Sequence, residues 1–194
     1  AADLDNGFVP GHAGGQLDAA GAQFSIIVSN PSDKLALSVT IRDVDGPVTH
    51  DADGVAFPGG KILPRQLRVY NMPRRDVNAT VLGPLAFKVE TSAPSIVYQF
   101  NPLADVDVFS NDASLLLPEH VLDRWYIVMT REQSFEGIRG YLTVLATTDN
   151  TEVNVTVSGR TLAGPGIPSL APGETITRTL NAYDVLNIET DEVG

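Results

Sequence analysis

FSIIVSNPSDKLALSVTI, residues 24–41, decides how this chain is read. An aromatic-led apolar run ends in a polar turn, Asn30-Pro31-Ser32-Asp33, and a second run follows in which Leu35, Leu37, Val39 and Ile41 alternate with their neighbours. Successive side chains on a strand point to opposite faces, so alternation on either side of a Pro-containing turn predicts two half-buried strands. The pattern returns at 141–157, YLTVLATTDNTEVNVTV, where Val153, Val155 and Val157 take the places of Leu37, Val39 and Ile41.

Working outward, a third strand-like stretch follows each of these, LPRQLRVYNM at 63–72 and APGETITRTL at 171–180, and then a fourth, FKVETS at 87–92 and LNIETD at 186–191. Four elements in the same order predict an internal repeat. Further strands are expected at Ile96–Phe100 and Trp125–Met129, and a short helical turn around Pro118–Asp123. With 17 Gly and 13 Pro spread along 194 residues, no long helix fits, and the expected fold class is all-β, two tandem β-sandwich-like units. The expected divisions are an N-terminal extension at 1–20, a first unit at 21–104, a connecting strand segment at 105–140 and a second unit at 141–194. The first unit runs on from FKVETS into SIVYQF at 95–100, while LNIETDEVG ends at Gly194, so the second unit is expected to lack its last strand or strands, to be supplied by further residues or by a partner.

Composition narrows the partners. Thirteen Lys and Arg against 24 Asp and Glu give a formal charge of −11, the wrong sign for gripping a phosphate backbone or an anionic lipid surface. Nucleic acid is therefore excluded as an expected partner, and no apolar run has the length of a transmembrane helix. The absence of cysteine excludes disulfides and Cys-based metal or redox sites.

Several stretches, in this order, resemble the N-terminal domain of the immunoglobulin G Fc-binding protein family: FSIIVSNP, LALSVTI, FKVETSAPSIVYQFNP, SNDASLLLPEHVLDRWYIV and YLTVLATTDNTEVNVTV. The most specific are Ser-Asn-Asp-Ala-Ser-Leu-Leu-Leu-Pro at 110–118 and Ala-Thr-Thr-Asp-Asn-Thr-Glu-Val at 146–153. The resemblance spans about residues 20–194 and is to a bacterial-type surface homologue. It implies a secreted or cell-surface location and a non-enzymatic role in a larger assembly; the cysteine-rich modules of the animal mucus protein are absent here. It implies no particular ligand.

Asp43-Val44-Asp45-Gly46 and Asp51-Ala52-Asp53-Gly54 form the densest acidic cluster. Calcium takes six to eight oxygen ligands, and two Asp-x-Asp-Gly loops could converge to supply them, so Asp43, Asp45, Asp51 and Asp53 are the candidate calcium ligands. The full calcium-loop pattern is missing, and Asp-Gly also makes ordinary hairpin turns. A second acidic stretch, Asp105-Val106-Asp107, leads into the connection. His12, His50 and His120 are too scattered to suggest a triad or zinc site. Glu132 and Glu136 are the one carboxylate pair considered for glycoside hydrolysis, against a polar loop. Lys61, Arg65, Arg68, Arg74 and Arg75 make a basic segment that either meets an anionic glycan or forms a solvent face. Of Trp125 and Tyr126, adjacent on an expected strand, one should be buried and the other exposed as a possible sugar platform. Asn78-Ala79-Thr80 and Asn154-Val155-Thr156 match the N-glycan acceptor pattern.

The expected function is a non-enzymatic extracellular or cell-surface adhesion or structural scaffold domain for protein or glycan partners. The alternatives are a calcium-dependent glycan-binding module and a filament or shell subunit that self-associates through an open sheet edge completed by a donated strand.

Overall fold

The computed structural model describes residues 8–12, 15–18, 22–104, 111–130 and 139–191, the first two stretches by backbone alone. Among them the chain is all-β, with antiparallel sheets, none closed into a barrel, and one 3-10 turn at Glu119–Val121. β1 (Phe8–His12) and β2 (Gly15–Asp18) form a hairpin.

The first packing joins two sheets. β3 (Ser25–Ser29) lies between β6 (Leu67–Asn71) and β9 (Ile96–Asn101), and β10 (Asp112–Leu115) extends the sheet beyond β9. β4 (Val39–Asp43) pairs with β5 (Gly46–Pro47) on one side and β8 (Lys88–Thr91) on the other. The alternating positions of 24–41 do what alternation demands. Ile26, Val28 and Ile41 bury against Phe24, Leu37, Ile62, Tyr70, Met72 and Phe87. Each such side chain taken from water contributes about 1.5–3 kcal/mol, the main force holding the sheets together. Asn30, 1% exposed, closes the turn between the two runs: its Nδ2 donates to the Leu35 and Ile62 carbonyls and its Oδ1 accepts from the Ser32 amide.

The second packing sets β12 (Thr151–Thr156) and β13 (Thr175–Leu180), a pair, against β11 (Tyr141–Leu145), β14 (Val185–Glu189) and β7 (Val81–Gly83). Its core gathers Ile167, Leu170, Ile176, Leu180, Leu186 and Ile188. The four elements that recur in sequence do not recur in pairing. β3 pairs with β6 and β4 with β8, whereas β11 pairs with β14 and β12 with β13.

β7 comes from early in the chain yet lies in the late sheet. All five residues of β14 are buried, because Leu186 and Ile188 face the core while Asn187 and Glu189 face the turn that precedes β7. Asn187 Nδ2 donates to the Ala79 carbonyl at 2.8 Å, and its Oδ1 accepts from the Thr143 hydroxyl at 2.7 Å. Glu189 Oε1 accepts the Ala79 amide at 2.9 Å, and the Glu189 amide donates to Thr80 Oγ1 at 3.0 Å. Ala79 is held in the left-handed region, φ 71°, a conformation costing a non-glycine residue roughly 1–2 kcal/mol that these bonds offset. Val77, Ala86 and Val185 add a small apolar cluster beneath. Gly164 approaches so closely that any Cβ there would overlap the Thr80 carbonyl oxygen.

The expected strand at Trp125–Met129 is not formed: residues 125–129 are exposed throughout and belong to no strand among the described residues. High strand propensity cannot make a strand without a neighbour, since the ladder bonds come from the partner. Strands β1, β2, β5 and β7 have no counterpart among the expected strands, while β10 falls within the expected connecting strand segment. Two variants test the docking of the 77–86 segment. Gly164→Ala is expected to destabilise by about 2–4 kcal/mol, because backbone must move. Asn187→Ala, which strands the Ala79 carbonyl and the Thr143 hydroxyl, is expected to cost about 2–3 kcal/mol in urea unfolding. Values under about 0.5 kcal/mol for both would contradict the contacts.

Candidate binding surface

The acidic loops are built as turns. Asp43 ends β4, and its Oδ1 accepts the amides of Asp45 and Gly46 at 2.9 and 3.1 Å. Its Oδ2 meets Arg75 Nη2 at 2.5 Å, in a pair whose side chains are 22% and 11% exposed. Asp51 Oδ1 accepts the amides of Asp53 and Val55. Asp45 and Asp53 are exposed. Carboxylates bonded to nearby amides stabilise turns locally, which explains an Asp three residues before each glycine. Among the described residues, no three His, Asp or Glu side chains gather into a group able to hold a metal ion.

The basic segment is largely spent on structure. Arg68 donates to the carbonyls of Pro58, Gly60 and Lys61, closing the turn at 58–61. Arg75 bonds Asp43 and the Pro84 carbonyl and lies 5.0 Å over the Phe87 ring, so it ties the start of the 77–86 segment to the first core. Arg74 pairs with Asp76. The Arg65 backbone has φ 62°, its amide shared between the carbonyls of Asn30 and Ser32. Lys61 remains exposed.

His50 and His120 are exposed in separate segments, and the His12 side chain lies outside the description. Glu132, Glu136, Asp105 and Asp107 lie outside the described residues. Trp125 and Tyr126 are both exposed, in contrast to the expected one in and one out; with no sheet at this point, alternation has no buried side to select. The Tyr126 hydroxyl accepts the Asp123 amide at 2.6 Å. Of the two glycan-acceptor matches, Asn78 is exposed but Thr80 is 1% exposed, while Asn154 sits on β12 with its Oδ1 accepting from Thr177.

The chemistry on offer is apolar. Pairing places Leu115, Tyr98, Ile27 and Val69 in one row across β10, β9, β3 and β6, and Ile96, Ser29 and Leu67 in the next row of the same face. Leu67, Ile96, Tyr98 and Leu115 are exposed there, on the side away from the Ile26 and Val28 core. Contiguous apolar surface of this kind marks interaction sites. Alternation along 67–71 and 96–100 carries this signal, but the pairing of β10 beside β9, which completes the rows, is not read from the sequence.

The fold and surface define an all-β chain of two sandwich-like packings with exposed apolar side chains on an open sheet face and along residues 125–129. Residues 112–193 match the family model described as IgGFc binding protein, a stretch running from β10 through the exposed segment and across the second packing. No curated protein and no solved structure matches the chain. Among the described residues no helix is long and apolar enough to cross a membrane.

Because Asp43 and Asp51 already serve turn amides and Arg75, the melting temperature is expected to be the same in EDTA and in millimolar calcium. A bound ion at about 100 times its dissociation constant would add roughly 2.7 kcal/mol and raise the midpoint by several degrees, which would reinstate the four aspartates as ligands.

Proposed function

We propose that the chain is a non-enzymatic, extracellular or cell-surface binding domain that takes a protein partner on the open face of the β10-β9-β3-β6 sheet. The observation that carries the reading is the exposed row of Leu115 and Tyr98 flanked by Ile96 and Leu67 on a sheet whose other face packs Ile26, Val28 and Tyr70 into the first core. Interface cores are enriched in aromatic and large apolar side chains and depleted of charge, which is the character of these rows. The family match over residues 112–193 supports a protein rather than a small molecule as partner, the family's description being of a protein that binds immunoglobulin Fc.

A second reading is a subunit completed by a donated strand, favoured by the unpaired residues 125–129. The calcium-dependent glycan reading has no comparable support.

The test immobilises the whole chain and passes over it purified immunoglobulin Fc, a mucus glycoprotein and a glycan array, each with EDTA and with calcium. Saturable, calcium-independent protein binding that weakens about tenfold or more in Tyr98→Ser is the expected result. Glycan binding that requires calcium, or protein binding indifferent to Tyr98, would contradict the proposal.

A further inference from the structure

Residues 125–129, Trp-Tyr-Ile-Val-Met, have the composition of a central strand and the environment of a loop. Trp125 is 82% exposed, Ile127 84% and Met129 93%, and Tyr126 and Val128 are exposed as well. Their backbone groups have no hydrogen-bond partner among the described residues. Leaving such a run in water forgoes both apolar burial and a ladder of main-chain bonds.

The same chain carries a sheet edge of matching composition. β11 has one strand neighbour among the described residues, β14, whereas β3, its counterpart in the sequence repeat, has β9 and β6 on its two sides. Bonds from the Thr190 amide to the Gly140 carbonyl and from the Ala146 amide to the Asp184 carbonyl set the parity of the β11-β14 ladder. The main-chain groups of Leu142 and Val144 therefore face β14, and those of Thr143 and Leu145 point to the other edge. Burial falls toward that edge: on the core face Leu186 and Ile188 of β14 are 0% and 1% exposed and Leu142 and Val144 of β11 are half-buried, while Leu145 is exposed on the opposite face.

Natural sheets guard their edges with charge, proline or very short strands. β6 carries Arg68, β12 Glu152, β13 Arg178 and β8 Lys88 and Glu90, while β5 is two residues long and ends in Pro47. Among the described edge strands of five residues or more, Tyr-Leu-Thr-Val-Leu of β11 alone has neither a charged residue nor a proline.

We propose that residues 125–129 of one copy add as a strand to the β11 edge of a second copy, reciprocally, so that the functional unit is a strand-exchanged dimer. The area suffices: the five side chains expose on the order of 700 Å², so one seated segment and the surface it covers reach about 1,400 Å², within the roughly 1,200–2,000 Å² of a stable interface, and a reciprocal pair doubles this. Among the described residues the segment forms no strand pair with its own β11, and a second copy offers each surface a partner. Each copy carries a charge of −11, so the two repel and added salt strengthens their association.

This rests on the donated-strand reading, not on the open-face reading, and its test reads self-association only. The cysteine-free chain allows a clean design: Ile127→Cys copies are mixed with Leu145→Cys copies and treated with a short bismaleimide, beside sedimentation of the unaltered chain from low to high micromolar. Expected are a concentration-dependent dimer tightened by salt, a crosslinked species of twice the chain mass, and several-fold less of it when Ser158→Cys replaces Leu145→Cys. Ile127→Lys is expected to weaken the dimer about tenfold or more. Monomeric sedimentation throughout with no Ile127–Leu145 product overturns the proposal. So does a chain bearing both cysteines that closes on itself at high dilution, which would make the segment an internal strap.

Discussion

The placement of the 77–86 segment in the second packing depends on one buried amide. Asn187 is 1% exposed and accepts from Thr143 on one side while donating to the Ala79 carbonyl on the other, so a single side chain joins β11, β14 and the turn before β7. A buried amide left unpaired costs about 1–3 kcal/mol, and the groups it serves would be orphaned as well. Glu189, two residues further along, takes the Ala79 amide, and its own amide donates to Thr80 Oγ1. These contacts fix the register in which β7 meets β14. They also explain why the chain tolerates a left-handed alanine and why residue 164 is glycine.

The anchor has a second end. Arg75, with Asp43 at one edge of its guanidinium and the Phe87 ring beneath it, ties the start of the 77–86 segment to the first core. An aspartate that reads in sequence as a metal ligand thus serves as an arginine partner and a turn acceptor. The same economy of carboxylates holds at Asp51. Among the described residues the open face around Tyr98 and the exposed run 125–129 are apolar surfaces with binding energy still to gain.

Strand alternation made most of the fold legible. The runs at 24–41, 96–100, 141–157 and 175–180 became β3, β4, β9, β11, β12 and β13 with ends shifted by a few residues at most, because period two along a half-buried strand is a direct imprint of burial. Pairing was not legible. LNIET and FKVET share a pattern, yet one strand is buried on both faces and the other on one, since Asn187 and Glu189 look like solvent-facing residues until a turn from a hundred positions earlier covers them. β7 was invisible for a related reason: Val-Leu-Gly before a proline is too short for periodicity to register. At Trp125–Met129 propensity was present and a partner was not, which is why the prediction failed there. The candidate surface was half visible, in the alternation of 96–100, and its completion by β10 required tertiary information.

Native-state amide hydrogen exchange tests the central claim, that the 77–86 segment belongs to the late sheet. The account predicts that the amides of Ala79, Leu82 and Leu186 exchange through a common opening, with similar free energies that fall together in Asn187→Ala. Rapid exchange at Ala79 and Leu82 beside a protected Leu186 would contradict it, since β7 would then be a surface loop and β14 would be held by β11 alone.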